Sequence, residues 1–348
     1  MCSSDLTLLG NVQKNSIVEI VDSEKLSKIK EDFLEGKTNP NCVSCDDIEK
    51  RSGFSNVKNQ YNKSFPDIHA GIKKLDIRWS NLCNLHCIYC DQYSSSTWAE
   101  KYDPASVKNI QNKNDIDLEN WILARADQLD ELQLLGGEPL LMKQNLELLE
   151  LLLKVNPNVN LRINTNLSNV DTKVFETACK FQNVHWTISV ETLNDEYEYI
   201  RYGGNWFDFM NNLTTISQLD HKITFNMLHF LLNYLSVFEC VDWFRSLGFH
   251  PNSFVIGALL NPNYLNIRHL PKTTLKQVEQ ELQRRINQNP GYLLEDSYRN
   301  MLHYINTPAD KDLQNSFEQL AKLDQRRNLD SKKIFTSLYK EHYHGKTI

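Results

Sequence analysis

From Lys74 onward, short segments that alternate apolar and polar residues take turns with longer stretches whose apolar residues recur every three or four positions. A period of two reads as strand and a period of three to four as helix. The first pattern marks six strand candidates: Leu75 to Trp79, Leu132 to Leu135, Val159 to Thr165, Val184 to Val190, Ile223 to Leu228 and Phe254 to Ala258. The second marks one helix face through Leu118, Trp121, Ile122, Ala126 and Leu129, and another through Leu146, Leu149, Leu152 and Leu153. Strand and helix in alternation predict a parallel sheet of strand-helix repeats. The apolar stripes are packing surfaces for that sheet and are assigned no chemistry.

Strands covered on both faces usually read as unbroken apolar runs, and these do not. In Val184 to Glu191, Val184, Trp186, Ile188 and Val190 share one face, while His185, Thr187, Ser189 and Glu191 share the other. Arg162 and Asn164 repeat the pattern, as do Asp76 with Arg78 and Thr224 with Asn226. With helices on the apolar face, the polar face lines the interior of an open or partial barrel that holds a polar ligand. A sheet with one face simply in water is the alternative.

The flanks differ. Residues 1–64 are polar and short-patterned, with a helical stretch from Ser23 to Leu34 and then Cys42-Val43-Ser44-Cys45, which reads as a small cysteine-bearing module. After Leu270-Pro271 the chain turns helical and polar, with Leu313, Phe317, Leu320 and Ala321 on one face, and His342 in an expected solvated tail. The expected organisation is a module over 1–64, an α/β core over 65–265 and a helical C-terminal extension over 266–348. Met1 to Leu6 are what a common sequencing-adapter end would encode, so the natural N-terminus is expected to lie elsewhere.

Composition narrows the partners. The net charge of -6 comes with no cluster of Lys and Arg, so nothing favours nucleic acid or an anionic membrane. No run approaches the roughly 18 apolar residues of a spanning helix, and the cytosol is the expected location. Eight cysteines fall mostly in tight groups, which in a reducing compartment more often hold metal than disulfides. Cys179 and Cys240 stand apart in helical patterns and read as small buried hydrophobes.

The chemistry concentrates just after the first strand. Cys83, Cys87 and Cys90 are spaced C-x3-C-x2-C, and thiolates are soft ligands for iron-sulfur clusters or zinc. Three thiols on one loop can hold three irons of a cubane and leave the fourth open to a chelating ligand. A structural zinc would instead take a fourth protein ligand, for which His86 is at hand. After the second strand comes Gly136-Gly137-Glu138-Pro139, where glycines permit close approach of backbone to a ligand at a strand's carboxyl end.

Together, these two motifs in this order resemble the radical SAM superfamily. Ser94 to Trp98, Asn164-Thr165-Asn166, Ser189-Val190-Glu191, Tyr199 to Gly203 and Pro262 to Leu265 extend the likeness to the branch with an N-terminal twitch domain. The resemblance implies a partial (β/α)6 TIM-like barrel and a 4Fe–4S cluster on Cys83, Cys87 and Cys90. It also implies reductive cleavage of S-adenosyl-L-methionine to a 5′-deoxyadenosyl radical that abstracts hydrogen from a substrate. By motif, Gly136, Gly137, Glu138 and Pro139 meet the methionyl end, Tyr89 lies near adenine, and Asn164, Ser189 and Glu191 belong to the cofactor site. Glu191 stands where the family commonly has Asp. The likeness further implies an auxiliary iron-sulfur cluster on Cys42 and Cys45, and an electron donor such as flavodoxin or ferredoxin. A peptide or protein is the expected substrate, with a carbohydrate-like small molecule second and a non-catalytic electron carrier or sensor as the rival reading. His185 and Arg201 are either substrate contacts, or barrel lining and a helix cap. No catalytic residue is assigned.

Overall fold

The structure is a computed structural model and describes residues 9–10, 14–37, 72–106, 115–309 and 312–343. Cys2, Cys42 and Cys45 lie outside the described residues, and with them most of the expected N-terminal module.

Six parallel strands form one open sheet in sequence order. They are β1 (Lys74–Arg78), β2 (Glu131–Leu135), β3 (Asn160–Thr165), β4 (Val184–Ser189), β5 (Lys222–His229) and β6 (Phe254–Ala258). All six expected strands are present, displaced by no more than a residue or two at their ends. The order makes each connection a single crossover, and β1 and β6 remain as edges, consistent with a partial barrel.

Paired residues of parallel strands point to the same side, so the register sorts the faces. Ile77, Leu132, Leu134, Ile163, Trp186 and Ile188 share the helix-covered side and are buried. On the other side the pairing aligns Asp76, Gln133, Arg162, His185 and Lys222 in one row. Asn164, Thr187 and Thr224 form the next. The alternation read from the sequence is therefore the true facing of the sheet.

The helix Lys143–Val155 buries Leu148, Leu149 and Leu152 against the sheet. Its Asn145 is fully buried, accepting from the Trp79 indole at 2.8 Å and donating to the Pro139 carbonyl at 2.8 Å, which ties β1 to the loop after β2. One expected helix is shorter than its pattern. It runs Asp115–Leu123, and Ala126 belongs to a separate 3-10 turn, Ala126–Gln128. Ala126 and Leu129 stay buried all the same, because the tighter turn again brings residues three apart onto one side.

The C-terminal helices Lys272–Gln288 and Leu293–Ile305 pack on each other, and the second packs on β6. Val278, Leu282, Tyr298, Phe317 and Tyr339 join the same continuous core as the sheet. Helix Leu313–Arg327 buries Phe317 and Leu320 as its pattern implied, but Ala321 is exposed. His342 is not a solvated tail residue: its side chain is 8% exposed and meets the Thr274 hydroxyl at 3.0 Å. Cys240 is fully buried, whereas Cys179 caps the end of helix Lys173–Ala178 and is half-buried. No helix among the described residues is long and apolar enough to cross a membrane.

Candidate metal centre

The loop between β1 and helix Ser96–Tyr102 carries the three thiols. Its backbone is tied on several sides. Leu85 O accepts from the Ser95 and Thr97 hydroxyls at 2.8 and 3.1 Å. His86 N and Ile88 N each donate at 2.8 Å, to Tyr202 O and Ile200 O. Cys83 and Cys87 are buried and Cys90 is half-buried, all within one small cluster that includes Leu85 and Tyr89.

The glycines after β2 make that loop possible. A Cβ on Gly137 would fall under 3.0 Å from the carbonyl oxygens of Asn81 and Leu82, and Gly136 adopts φ +141° against Ser80 O. Only glycine lets the two loops touch here. Glu138 N then donates to Leu82 O at 2.7 Å. Its carboxylate, 2% exposed, accepts from Asn166 N at 2.7 Å, the Thr165 hydroxyl at 2.8 Å and Leu140 N at 3.2 Å. Burial pushes the Glu138 carboxyl up to about 7, against the pull of those three donors. Glu138 thus bolts β2's loop to the end of β3. Asn166, placed by that bond, turns its side-chain amide to Cys83 Sγ at 3.8 Å and to Asn84 Oδ1 at 3.1 Å.

A second constellation surrounds Cys87. Arg201 and Glu191 form a two-pronged ion pair, with Nε to Oε2 at 2.8 Å and Nη2 to Oε1 at 2.7 Å. They are 4% and 1% exposed. The remaining guanidinium nitrogen, Nη1, lies 3.9 Å from Cys87 Sγ. The Tyr89 hydroxyl donates to Glu191 Oε1 at 3.0 Å, and the Tyr89 ring meets Phe230 edge-on. The Cys87 thiol is held below its ordinary range, first by a hydrogen bond from Cys90 and then by Arg201, while burial opposes both. Burial pushes Cys83 up to about 12. Cys90 rises because its thiol donates a hydrogen bond to Cys87, and burial adds to the rise.

The donor set fits an iron-sulfur cluster. Three soft sulfurs share one small cluster, two of them buried and one half-buried; an amide N–H and a guanidinium face two of them, and one thiol is already biased towards thiolate. His86 does not complete a zinc site with them. Its ring packs against Tyr102 and Tyr202.

The expected cofactor residues are brought to one end of the sheet, but by different routes. Asn164 accepts from Gln133 at 3.0 Å on the polar face. Ser189 ends β4 on the same face, half-buried. At the opposite end of the strands the polar face opens into a cavity of ≈ 360 Å³ lined by Glu131, Arg162, His185 and Lys222. Arg162 donates to His185 Nδ1 at 3.1 Å, so His185 Nε2 carries the proton shared with Thr224 at 2.8 Å. Burial, then Arg162, pushes that imidazole down to about 3, so it stays neutral. Arg201, read from the sequence as a cap or a substrate contact, is the C-cap residue of helix Asn194–Ile200, and its side chain pairs with Glu191.

Residues 77–244 match the family model of the Radical SAM superfamily. That stretch is similar to the radical SAM superfamily. It runs from β1 to helix Ser236–Ser246 and contains the three thiols, Glu138, Glu191 and Arg201. Among solved structures, the chain is similar to Streptococcus suis SuiB bound to S-adenosylmethionine, at 17% identity and a TM-score of 0.47 over 78% of this chain and 60% of that one. It is similar to native anSMEcpe with bound AdoMet, at 17% identity and 0.48 over 62% and 61%. SuiB bound to precursor peptide SuiA gives 16% and 0.47 over 75% and 59%. The chain spans about three fifths of the length of these structures. No curated protein matches the sequence.

Proposed function

We propose that this chain is a radical SAM enzyme in which Cys83, Cys87 and Cys90 hold a 4Fe–4S cluster and S-adenosylmethionine binds beside it. The observation that carries this reading is the gathering of three thiols from one loop in a single small cluster, backed by Asn166 and by the Arg201–Glu191 pair. Bound there, cluster and cofactor would supply one-electron cleavage of the sulfonium and a 5′-deoxyadenosyl radical that takes hydrogen from the substrate.

The chain's own residues bind, orient and exclude water. Gly136, Gly137, Glu138 and Pro139 receive the methionyl end, Tyr89 flanks the adenine, Ser189 and Glu191 serve the ribose side, and Asn164 belongs to the cofactor site. Glu191 is one methylene longer than the family's usual Asp, and its carboxylate contacts Arg201 and Tyr89. The substrate lies along the polar face, whose neutral Asn164, Thr187, Thr224 and Asn226 suit the amide groups of a peptide. Cys42 and Cys45 hold an auxiliary cluster in a twitch-type module, and a flavodoxin or ferredoxin of the cytoplasm supplies the electron.

Anaerobic reconstitution tests the reading. Reduced protein should release 5′-deoxyadenosine from S-adenosylmethionine, and Cys83→Ala should abolish it. Reduced protein that holds a cluster yet yields no 5′-deoxyadenosine would be an electron carrier or sensor instead.

A further inference from the structure

Behind the cysteine loop lies a buried cation that neither the motif nor the proposed chemistry uses. Arg327, the last residue of helix Leu313–Arg327, is 4% exposed. It donates to His86 O at 2.5 Å, to the Tyr102 hydroxyl at 3.2 Å and to Tyr199 O at 3.4 Å, and it faces the Tyr202 ring with its guanidinium carbon 4.7 Å from the ring centre. His86 is the neighbour of Cys87.

These partners are all neutral. The other buried guanidiniums are paired, Arg201 with Glu191 and Arg285 with Asp242 and Glu281. Among the described residues Arg327 has no carboxylate within 4.0 Å. A buried charge without a counter-ion is costly, and carbonyl oxygens and ring faces offset only part of that cost. A 4Fe–4S core on three thiolates is an anion, and it gains a further negative charge on reduction.

We propose that Arg327 is the counter-charge of the cluster held by Cys83, Cys87 and Cys90, and that it makes the reduced cluster easier to form. The inference rests on the cluster reading above. Its physical basis is that a fixed cation in a low-dielectric wall favours the more negative redox state. Asn328, in the left-handed region at φ 55°, ends the helix at this point. The C-terminal helices would then belong to the redox centre as well as to the core.

The test is a dithionite titration of the full reconstituted chain, in which one electron reduces the cluster whose EPR signal responds to S-adenosylmethionine. Arg327→Gln should lower the reduced-to-oxidised ratio at a fixed potential about tenfold, which is ~59 mV for one electron. Arg327→Lys should restore most of it. Tyr102→Glu leaves the bond to His86 in place but sets a carboxylate beside the guanidinium, and should shift the ratio the same way. Arg326→Gln, at an exposed position, should leave it unchanged. Wild-type potentials in both Arg327→Gln and Tyr102→Glu overturn the inference, and so does an equal shift in Arg326→Gln. Loss of the cluster in both of the first two would mean that Arg327 only holds the loop in shape. If wild-type protein itself forms no 4Fe–4S cluster, the cluster reading falls first and this inference with it.

Discussion

Replacing Glu191 by Gln is the sharpest perturbation the site allows short of removing a cysteine. The substitution keeps the side chain's length but removes the charge that faces Arg201, which is 4% exposed and bonded to Glu191 at 2.8 and 2.7 Å. Breaking a buried pair by removing one partner costs about 3–5 kcal/mol, because the surviving charge is left uncompensated. Removing both partners together spares that cost. The expected result for the reduced, metal-free protein is therefore about 3–5 kcal/mol for Glu191→Gln, a similar loss for Arg201→Met, and a double variant no less stable than either single one. Urea unfolding of the four proteins at one pH and salt concentration measures this directly. A double variant whose loss equals the sum of the singles would refute the reasoning, since the two side chains would then not act as a pair.

Three other outcomes follow from the geometry. Burial raises Glu196, which accepts from the Ser236 hydroxyl at 2.6 Å, from 4.5 to about 7. Its stabilising contribution is full below pH 4.5 and is lost as pH rises through about 7. Glu196→Gln should thus gain on the wild type between pH 5 and pH 8 by roughly 2–3 kcal/mol after screening; a flat difference across that range would contradict the shift. Gly137→Ala drives a Cβ into Asn81 O and Leu82 O and should cost about 1–3 kcal/mol together with most of the bound iron, whereas a Cβ on Gly257 meets nothing within 4 Å and Gly257→Ala should keep both. Equal iron content in the two alanine variants would show that the loops do not need their close approach. Cys42→Ala with Cys45→Ala should lower iron by about one cluster's worth and leave the S-adenosylmethionine-responsive EPR signal in place; unchanged iron would remove the auxiliary cluster.

The sheet was legible because its strands carry a period of two that one covered face enforces. Trp186 and Ile188 go to the helices, while His185 and Thr187 go to the polar side, and the register repeats that choice across four strands. Helix Asp115–Leu123 was overextended because Ala126 and Leu129 keep facing the core through a 3-10 turn, which apolar spacing alone does not separate from a helix. In the site, spacing revealed the three thiols and the Gly-Gly-Glu-Pro loop. It could not reveal that Glu138 reaches residues 27 and 28 positions away, nor that Arg201 turns back to Glu191. Arg327 left no trace in the sequence: it meets His86 across 241 residues, on a helix whose visible signal was only its apolar face.

The central claim is that the trio of Cys83, Cys87 and Cys90 carries a cubane with one iron free of protein ligands. Mössbauer spectroscopy of 57Fe-reconstituted, oxygen-free Cys42→Ala/Cys45→Ala protein, with and without S-adenosylmethionine, tests it most directly. The account predicts a 4Fe–4S spectrum in which one iron alone changes its isomer shift when the cofactor is added. A chain that instead retains one tetrahedral zinc, or a cluster whose irons all ignore the cofactor, would contradict it.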